Sequence, residues 1–265
     1  CYERVSDHIH NPNEYMPRQR LHYIRAGEVI ISTGSIERPL SFGNNDRPGI
    51  FLASAANEYM KVYGTLVGKK PIIFTNNDTA YKTAIEFHKN NIKSMIVDTR
   101  QSSDGELVKE AQSLGLDIKF NSGIADVKGR LKVTSAIIGK FNSDKESYSS
   151  LEEFDCDCIC MSGGWTPTVH LSSQAGNKLK FDESIDAFVP NNKRQKETAV
   201  GAANGSFTLN QSLAEGFQVG FDLSNSITSN NKNTSVPNSN EPSFQAHDKF
   251  WCMPLPQGKN PSRFI

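Results

Sequence analysis

Short apolar runs alternate along the chain with polar stretches whose apolar positions recur at helical spacing. Val29-Ile30-Ile31 predicts a buried strand, with Thr33-Gly34 as a small-residue turn at its carboxyl end, and a helix is expected over about residues 54–62. From Lys69 to about Asn142 the runs PIIF, SMIVD and DIKF alternate with DTAYKTAIEFHKN and DGELVKEAQSLG. In the second of these helices Leu107, Val108, Ala111 and Leu114 share a face, and Gly115 stops it. Gly129 sits where a hairpin turn would join VKGRLKV to VTSAII. Alternating β and α elements of this size predict parallel βαβ units. Residues 143–153 are polar and read as a return crossing. FDCDCICMSGGWTPTVHL then gives a strand, Gly163-Gly164 and a proline-containing helix start. ETAVGAANGSFTLNQSLAEGFQVGFDLSNSI gives a short strand, a turn from Gly201 to Gly205 and a long helix. Residues 228–245, rich in Asn, Ser and Pro, read as linker, and the remainder to Ile265 looks extended and leads on towards a further domain.

One stretch, KPIIFTNNDTAYKTA (70–84), has the strand–turn–helix form on which α/β proteins hold nucleotide phosphates, yet its turn contains no glycine. Asp78 falls at or beside the helix N-cap, where a carboxylate accepts the free N–H groups and complements the helix dipole. A phosphate there would meet a like charge. Asn76 and Asn77 tolerate the left-handed conformation that glycine would otherwise supply. The stretch therefore predicts a vestigial nucleotide turn.

Lys+Arg and Asp+Glu are both 29, so the formal net charge is zero and nothing electrostatic points to nucleic acid or an anionic membrane. No apolar run approaches the roughly 18 residues that cross a bilayer. Of five cysteines, Cys156, Cys158 and Cys160 alternate, so a strand would place them on one face as small buried hydrophobes. With no second CxxC or His pair, no metal site is assigned, and unpaired thiols imply a reducing, cytoplasmic compartment. His170 reads as structural, and Arg38, Asp46 and Arg47 as a surface Arg–Asp pairing. No Ser-His-Asp or paired-thiol pattern marks a catalytic residue.

The order of these elements resembles the two-dinucleotide-binding-domain, glutathione-reductase-like oxidoreductases. More closely, residues 17–55, IIFTNNDTAYKTA (72–84), CMSGGWTPTVHLSSQAGNKLKFDES (160–184) and VGAANGSFTLNQSLAEG (200–216) resemble the alpha-subunit family of heterotetrameric sarcosine oxidases. The resemblance implies an α/β FAD/NAD(P)-binding glutathione-reductase-like (Rossmann-type) fold, its main dinucleotide domain interrupted by a smaller inserted α/β domain. The expected division is 1–62 and 151–227 for the main domain, 63–150 for the vestigial insert, and 228–265 for a linker, the chain being an internal fragment of a longer polypeptide.

The resemblance also implies a function. Sarcosine is oxidised to glycine by a CH–NH oxidoreductase that uses oxygen, with hydrogen peroxide and formaldehyde or methylene-tetrahydrofolate as products. NAD would sit in this chain's main domain and FMN at a subunit interface, with FAD and tetrahydrofolate sites elsewhere in a complex with beta, gamma and delta subunits. Carried over by motif, Thr33 and Gly34 match the TG pattern of the main domain. Gly164, with Gly163 beside it, matches the G-x-x-P return ending at Pro167. Asn204, followed by Gly205, stands where flavin-binding relatives carry an acidic residue. Asn204 equally suits a helix N-cap. Two other functions stay open on the residues themselves: a self-contained NAD(P)H-dependent flavin reductase and a non-catalytic dinucleotide-binding scaffold.

Overall fold

The computed structural model describes residues 1–191, 194–227, 235–240, 247–258 and 261–263. In chain order it runs β1 (Tyr2–Arg4), β2 (Gln19–Leu21), β3 (Val29–Ile31), β4 (Ser35–Glu37), β5 (Ile50–Leu52), α1 (Ala53–Tyr63), β6 (Pro71–Thr75), α2 (Thr79–Lys89), β7 (Met95–Asp98), α3 (Glu106–Ser113) and β8 (Asp117–Lys119). There follow β9 (Ser122–Lys128), β10 (Ser135–Phe141), β11 (Tyr148–Asp155), β12 (Cys158–Ser162), β13 (Trp165–Pro167), α4 (His170–Gln174), β14 (Leu179–Asp182), β15 (Ala187–Pro190), β16 (Glu197–Ala199), a 3₁₀ turn at Gly201–Asn204 and α5 (Leu209–Ile227).

The centre is a five-stranded parallel sheet ordered β5-β12-β6-β7-β8. Its inner strands β12 and β6 are buried on both faces, which is why they read as continuous apolar runs. The pleat sends Ile72, Phe74, Val97, Ile159 and Met161 to one side, where they pack with Ile124, Val127 and Ile138 of the antiparallel sheet β11-β10-β9. Ile73, Ile96, Cys158 and Cys160 point to the other side, against Ala84 and Phe87 of α2 and Val108 of α3. Each fully buried side chain of the size of Phe74 contributes about 1.5–3 kcal/mol relative to exposure.

The βαβ reading and the hairpin through Gly129 are as expected, but two details differ. Residues 148–153, part of the return crossing expected over 143–153, belong to β11, whose positions 149–153 all face water while Tyr148 and Phe154 pack against the core. Cys156 lies between strands and turns into the core cluster opposite that of Cys158 and Cys160, so the three thiols do not share a face. All three are buried and unpaired.

The sheet draws strands from both sides of residues 63–150: β5 with α1 before, and β12 after. The flanking segments meet through smaller pairings, β3 with β16 in parallel and β4 with β13 antiparallel. Parts of the expected linker lie outside the described residues. Within it, residues 247–253 are firmly placed: Met253 is buried in the core, and Ser41 exchanges main-chain hydrogen bonds with Trp251 and Met253, each at 2.8 Å. Among the described residues no helix is long and apolar enough to cross a membrane.

Candidate functional site

Parallel pairing aligns Ser162, Thr75 and Asp98 at the carboxyl ends of β12, β6 and β7, the edge at which open α/β sheets hold ligands. The turn Thr75–Thr79 is closed upon itself there. Thr75 Oγ1 accepts the Asn77 N–H at 3.1 Å, and the Asn77 side-chain amide donates to the Ser162 carbonyl at 3.1 Å. Asn77 Oδ1 accepts the Thr79 N–H at 2.9 Å, so Asn77, rather than Asp78, caps α2. This corrects the expectation for both residues. Neither Asn76 nor Asn77 is left-handed, because their side chains, and not an unusual backbone, shape the turn.

Asp78 has a different partner. Arg100, two residues beyond the end of β7, folds back so that Nη1 meets Asp78 Oδ1 at 2.7 Å, while Nε and Nη2 grip both oxygens of Asp98 at 3.0 and 2.7 Å. Ser103 Oγ donates to Asp78 at 3.1 Å, and the Tyr81 hydroxyl donates to Asp98 at 2.7 Å. Burial works against the Arg100 charge, but the hydrogen bonds and charge of Asp98, then Asp78, outweigh it and raise its pKa. Burial first, and the Asp98 carboxylate second, push the Tyr81 phenol up. Gly105 lies so close to the Asp78 carboxylate that any side chain at that position would collide with it. The cation that could have met a coenzyme phosphate is thus committed inward.

The mouth of the turn is also covered from outside. Asn76 donates its amide to the carbonyls of Asp248 (2.9 Å) and Phe250 (3.3 Å), and the Asp248 N–H returns to the Asn76 carbonyl at 2.9 Å. Lys145 pairs with the Asp248 carboxylate. Trp251 donates its indole N–H to the Gly163 carbonyl at 2.7 Å. A Cβ on Gly163 would stand 2.8 Å from the Pro39 carbonyl and 2.9 Å from the Trp251 ring, so only glycine admits this packing.

The six carried-over residues fall into three places. Thr33 and Gly34 clasp the segment after β13: Thr33 Oγ1 donates to the Thr168 carbonyl at 2.8 Å, and the Thr168 N–H donates to the Gly34 carbonyl at 2.9 Å. Gly163 is sealed under Trp251. Gly164 and Gly205, with φ of +87° and +91°, line one cleft of about 220 Å³ together with Asn77, Thr79, Trp165 and His247. Asn204 ends the 3₁₀ turn beside Gly205. It does not cap α5, because Thr208 and Gln211 exchange the capping hydrogen bonds there. Its amide instead donates to Glu215, whose second oxygen accepts the Gly201 N–H at 2.7 Å.

Other residues complete this region, and Glu37, Trp165 and His247 among them carried no signal of their own in the sequence. Glu37, at the end of β4, accepts the Ser54 N–H at 2.9 Å and so caps α1 from another strand; burial raises its pKa, the Ser54 hydroxyl opposing. Trp165 donates to Thr79 Oγ1 at 3.2 Å and separates the glycine cleft from a second one, about 310 Å³, lined by Glu37, Ser54, Asn57 and Lys82. Arg38 is half-buried, stacked 4.8 Å over Trp251 and bonded to the carbonyls of Trp165, Ile185 and Asp186, so it is not half of a surface pair. His247 Nε2 lies 3.2 Å from Asp186 Oδ2, but the two atoms are not aligned for a hydrogen bond. Burial, then the Arg38 charge, lower the His247 pKa. His170 is exposed at the start of α4.

The comparisons with known proteins agree with this architecture. No protein-family profile matches the sequence. The chain is 32% identical over 221 residues to a sarcosine oxidase subunit alpha of Corynebacterium sp. strain P-1, covering 82% of this chain and 23% of that one. A Rhizobium meliloti (strain 1021) protein of the same description is 35% identical over 209 residues, covering 76% of this chain and 19% of that one. The chain therefore spans under a quarter of the length of the curated relatives it matches. Among solved structures, the chain is similar in fold to the T. acidophilum thioredoxin reductase, with a TM-score of 0.60 at 16% identity over 77% of this chain and 67% of that one. The L-proline dehydrogenase from P. horikoshii gives 0.52 at 22% identity over 76% of this chain and 35% of that one. The fold is that of the FAD/NAD-binding, glutathione-reductase-like enzymes.

Proposed function

We propose that this chain, related over about four-fifths of its length to sarcosine oxidase subunit alpha, is the corresponding segment of an oxidoreductase subunit that holds one dinucleotide and leaves the amine chemistry to companion chains. On this reading the insert expected over 63–150 extends outwards to take in β5, α1 and β12, which share one sheet and core with β6, β7 and β8, while the segments flanking it up to residue 227 form the main dinucleotide domain and 228–265 a connecting segment, in a cytoplasmic complex with beta, gamma and delta subunits. The complex converts sarcosine to glycine, with hydrogen peroxide and formaldehyde or methylene-tetrahydrofolate as products. Its FAD and tetrahydrofolate sites lie on other parts of the assembly and its FMN at an interface with this chain.

The observation that carries the reading is the closed second turn. A coenzyme diphosphate does not fit at Thr75–Thr79, where Asp78 is buried and Arg100 is committed to Asp78 and Asp98. The cleft at Gly164 and Gly205 has a different donor set. Its polar lining is the hydroxyls of Thr79, Ser184 and Thr208, the Gln211 amide and the His247 ring, the Asn77 amide being committed to Ser162, with no Lys or Arg among its lining. That chemistry fits the hydroxylated, uncharged parts of NAD, which Gly164, Asn204 and Gly205 would hold, with Thr33, Gly34 and Gly163 keeping the surrounding strand ends in place. NAD bound there supplies a fixed dinucleotide, and the residues of this chain bind and orient it. A self-contained reductase would need the second turn to work, and Asp78 opposes that.

The test is to co-express the full-length subunit with candidate beta, gamma and delta subunits. Sarcosine-dependent peroxide production that needs this subunit supports the reading. Assembly with no such dependence would point to a scaffold, and a flavin spectrum with NAD(P)H oxidation by the isolated subunit would point to a reductase.

A further inference from the structure

We propose that His247 is a proton-operated latch: uncharged, it lets residues 247–250 close over the Thr75–Thr79 turn, and protonated, it releases them. The latch concerns the cover of the turn and does not depend on what the Gly164–Gly205 cleft binds. The covering segment is anchored in two ways. From Trp251 onward its anchors are burial and neutral hydrogen bonds: the indole donates to the Gly163 carbonyl, and Ser41 pairs with the main chain of Trp251 and Met253. Residues 247–249 add charged or chargeable side chains to the hydrogen bonds that join Asp248 and Phe250 to Asn76. Asp248 meets Lys145 and, at 3.4 Å, the Thr99 hydroxyl. Lys249 Nζ stands 2.9 Å from Asp186 Oδ1 and donates to the Glu183 carbonyl at 3.0 Å.

His247 comes to the other oxygen of Asp186. Its Nε2 lies 3.2 Å from Oδ2, yet both atoms are buried and neither has a hydrogen-bond partner among the described residues. A second cation is also at hand. Arg38 donates to the Asp186 main-chain carbonyl at 3.0 Å and shares the Trp251 ring with His247, at 4.8 and 5.4 Å. A proton on His247 would make a third cation around one carboxylate, with no aligned hydrogen bond and little access to water. Burial and then Arg38 therefore hold the His247 pKa below its ordinary 6.5, although Asp186 pulls the other way. The ring rides on the covering segment, so it regains water only when residues 247–250 lift. Docking is at full strength above about pH 6.5 and weakens as the pH falls towards the lowered folded value.

Hydrogen exchange on the full chain at about pH 7.5 and about pH 5.5, with rates corrected for the intrinsic effect of pH, reads the latch. The Asp248 N–H, which donates to Asn76, should lose protection by about three- to ten-fold at the lower pH, ten-fold being what one group of ordinary value 6.5 supplies a unit below it. The Ser41 and Met253 N–H groups should not change. In His247→Gln the Asp248 N–H should be protected alike at both pH values. An NMR titration of the six imidazoles, with His247 identified by its absence from that variant, should place its midpoint below 6.5. Equal protection of the native chain at both pH values overturns the latch, as does a loss that persists unchanged in His247→Gln or a His247 midpoint at or above 6.5. If glutamine fails to seat the segment at either pH, the latch stands or falls on whether native protection is lost at the His247 midpoint.

Discussion

Arg100 Nη1 stands 2.7 Å from Asp78 Oδ1, with the two side chains only 9% and 2% exposed, and this contact closes the turn after β6 from within. Two acids share a single cation, and the Tyr81 and Ser103 hydroxyls complete the hydrogen bonding of the acids. A buried network of this kind is costly to break from one side, because the partners left behind keep their charge and lose their compensation.

Arg100→Ala should therefore destabilise the protein by about 3–5 kcal/mol, since it strands both Asp78 and Asp98. Asp78→Ala should cost less, because Arg100 keeps both oxygens of Asp98. Asp78→Gly should bring no NAD binding to the turn, which Arg100 and residues 248–250 still fill. Urea unfolding and a coenzyme titration read these out. The opposite order of stabilities, or new NAD binding in Asp78→Gly, would overturn the account.

Thiol chemistry gives a second check. Burial, then the Cys158 charge, push the Cys156 thiol up to about 12, and the Cys158 hydrogen bond, then burial, raise that of Cys160. Only Cys1 and Cys252 are exposed. In the native state at pH 8 an alkylating reagent should modify two of the five cysteines, and all five once the chain is unfolded in denaturant. Rapid native labelling of Cys156, Cys158 or Cys160, seen by peptide mass mapping, would mean that the strand opens readily.

Glu37 predicts a pH dependence whose sign follows from burial. Its folded pKa is raised, so the protonated carboxyl is the form the fold prefers. Its contribution is complete below the ordinary glutamate value and is lost as pH rises through the raised one. The melting temperature of Glu37→Gln, which keeps an acceptor for the Ser54 N–H, should gain on that of the native protein as pH climbs above about 4.5. A difference that stays flat with pH, or shrinks, would show that Glu37 is ionised without penalty.

These examples show what the sequence could and could not convey. The parallel sheet was legible because its inner strands are apolar on both faces and its helices keep a 3.6-residue period. The closure of the second turn was also legible, through the missing glycine and the carboxylate at position 78. Its mechanism was not, because Arg100 is 22 residues from Asp78, and a lone arginine after a strand carries no sign of facing inward. The same holds for Glu37, which caps α1 from 17 residues away, and for Asn76, which reaches Asp248 across 172. Local pattern predicts local structure; pairings across the fold are set only when the sheet brings strand ends together. Cys156 failed for the opposite reason. Strict alternation was extended past the end of a strand, where the pleat no longer applies.

The Asn204–Glu215 contact bears on why this chain carries an amide at a position that resembles one where flavin-binding relatives carry an acid. The amide donates to Glu215, and Glu215 also holds the Gly201 N–H that starts the 3₁₀ turn. An acid at 204 would face another carboxylate with no proton between them, so the two residues constrain each other. Asn204→Asp should lose about 1.5–3 kcal/mol at pH 7, the range of a hydrogen bond to a charged group. Adding Glu215→Gln should recover much of it, because the new amide donates to the new acid. A double-mutant cycle by urea unfolding measures that coupling directly. Additive losses would show that Glu215 does not dictate the residue at 204.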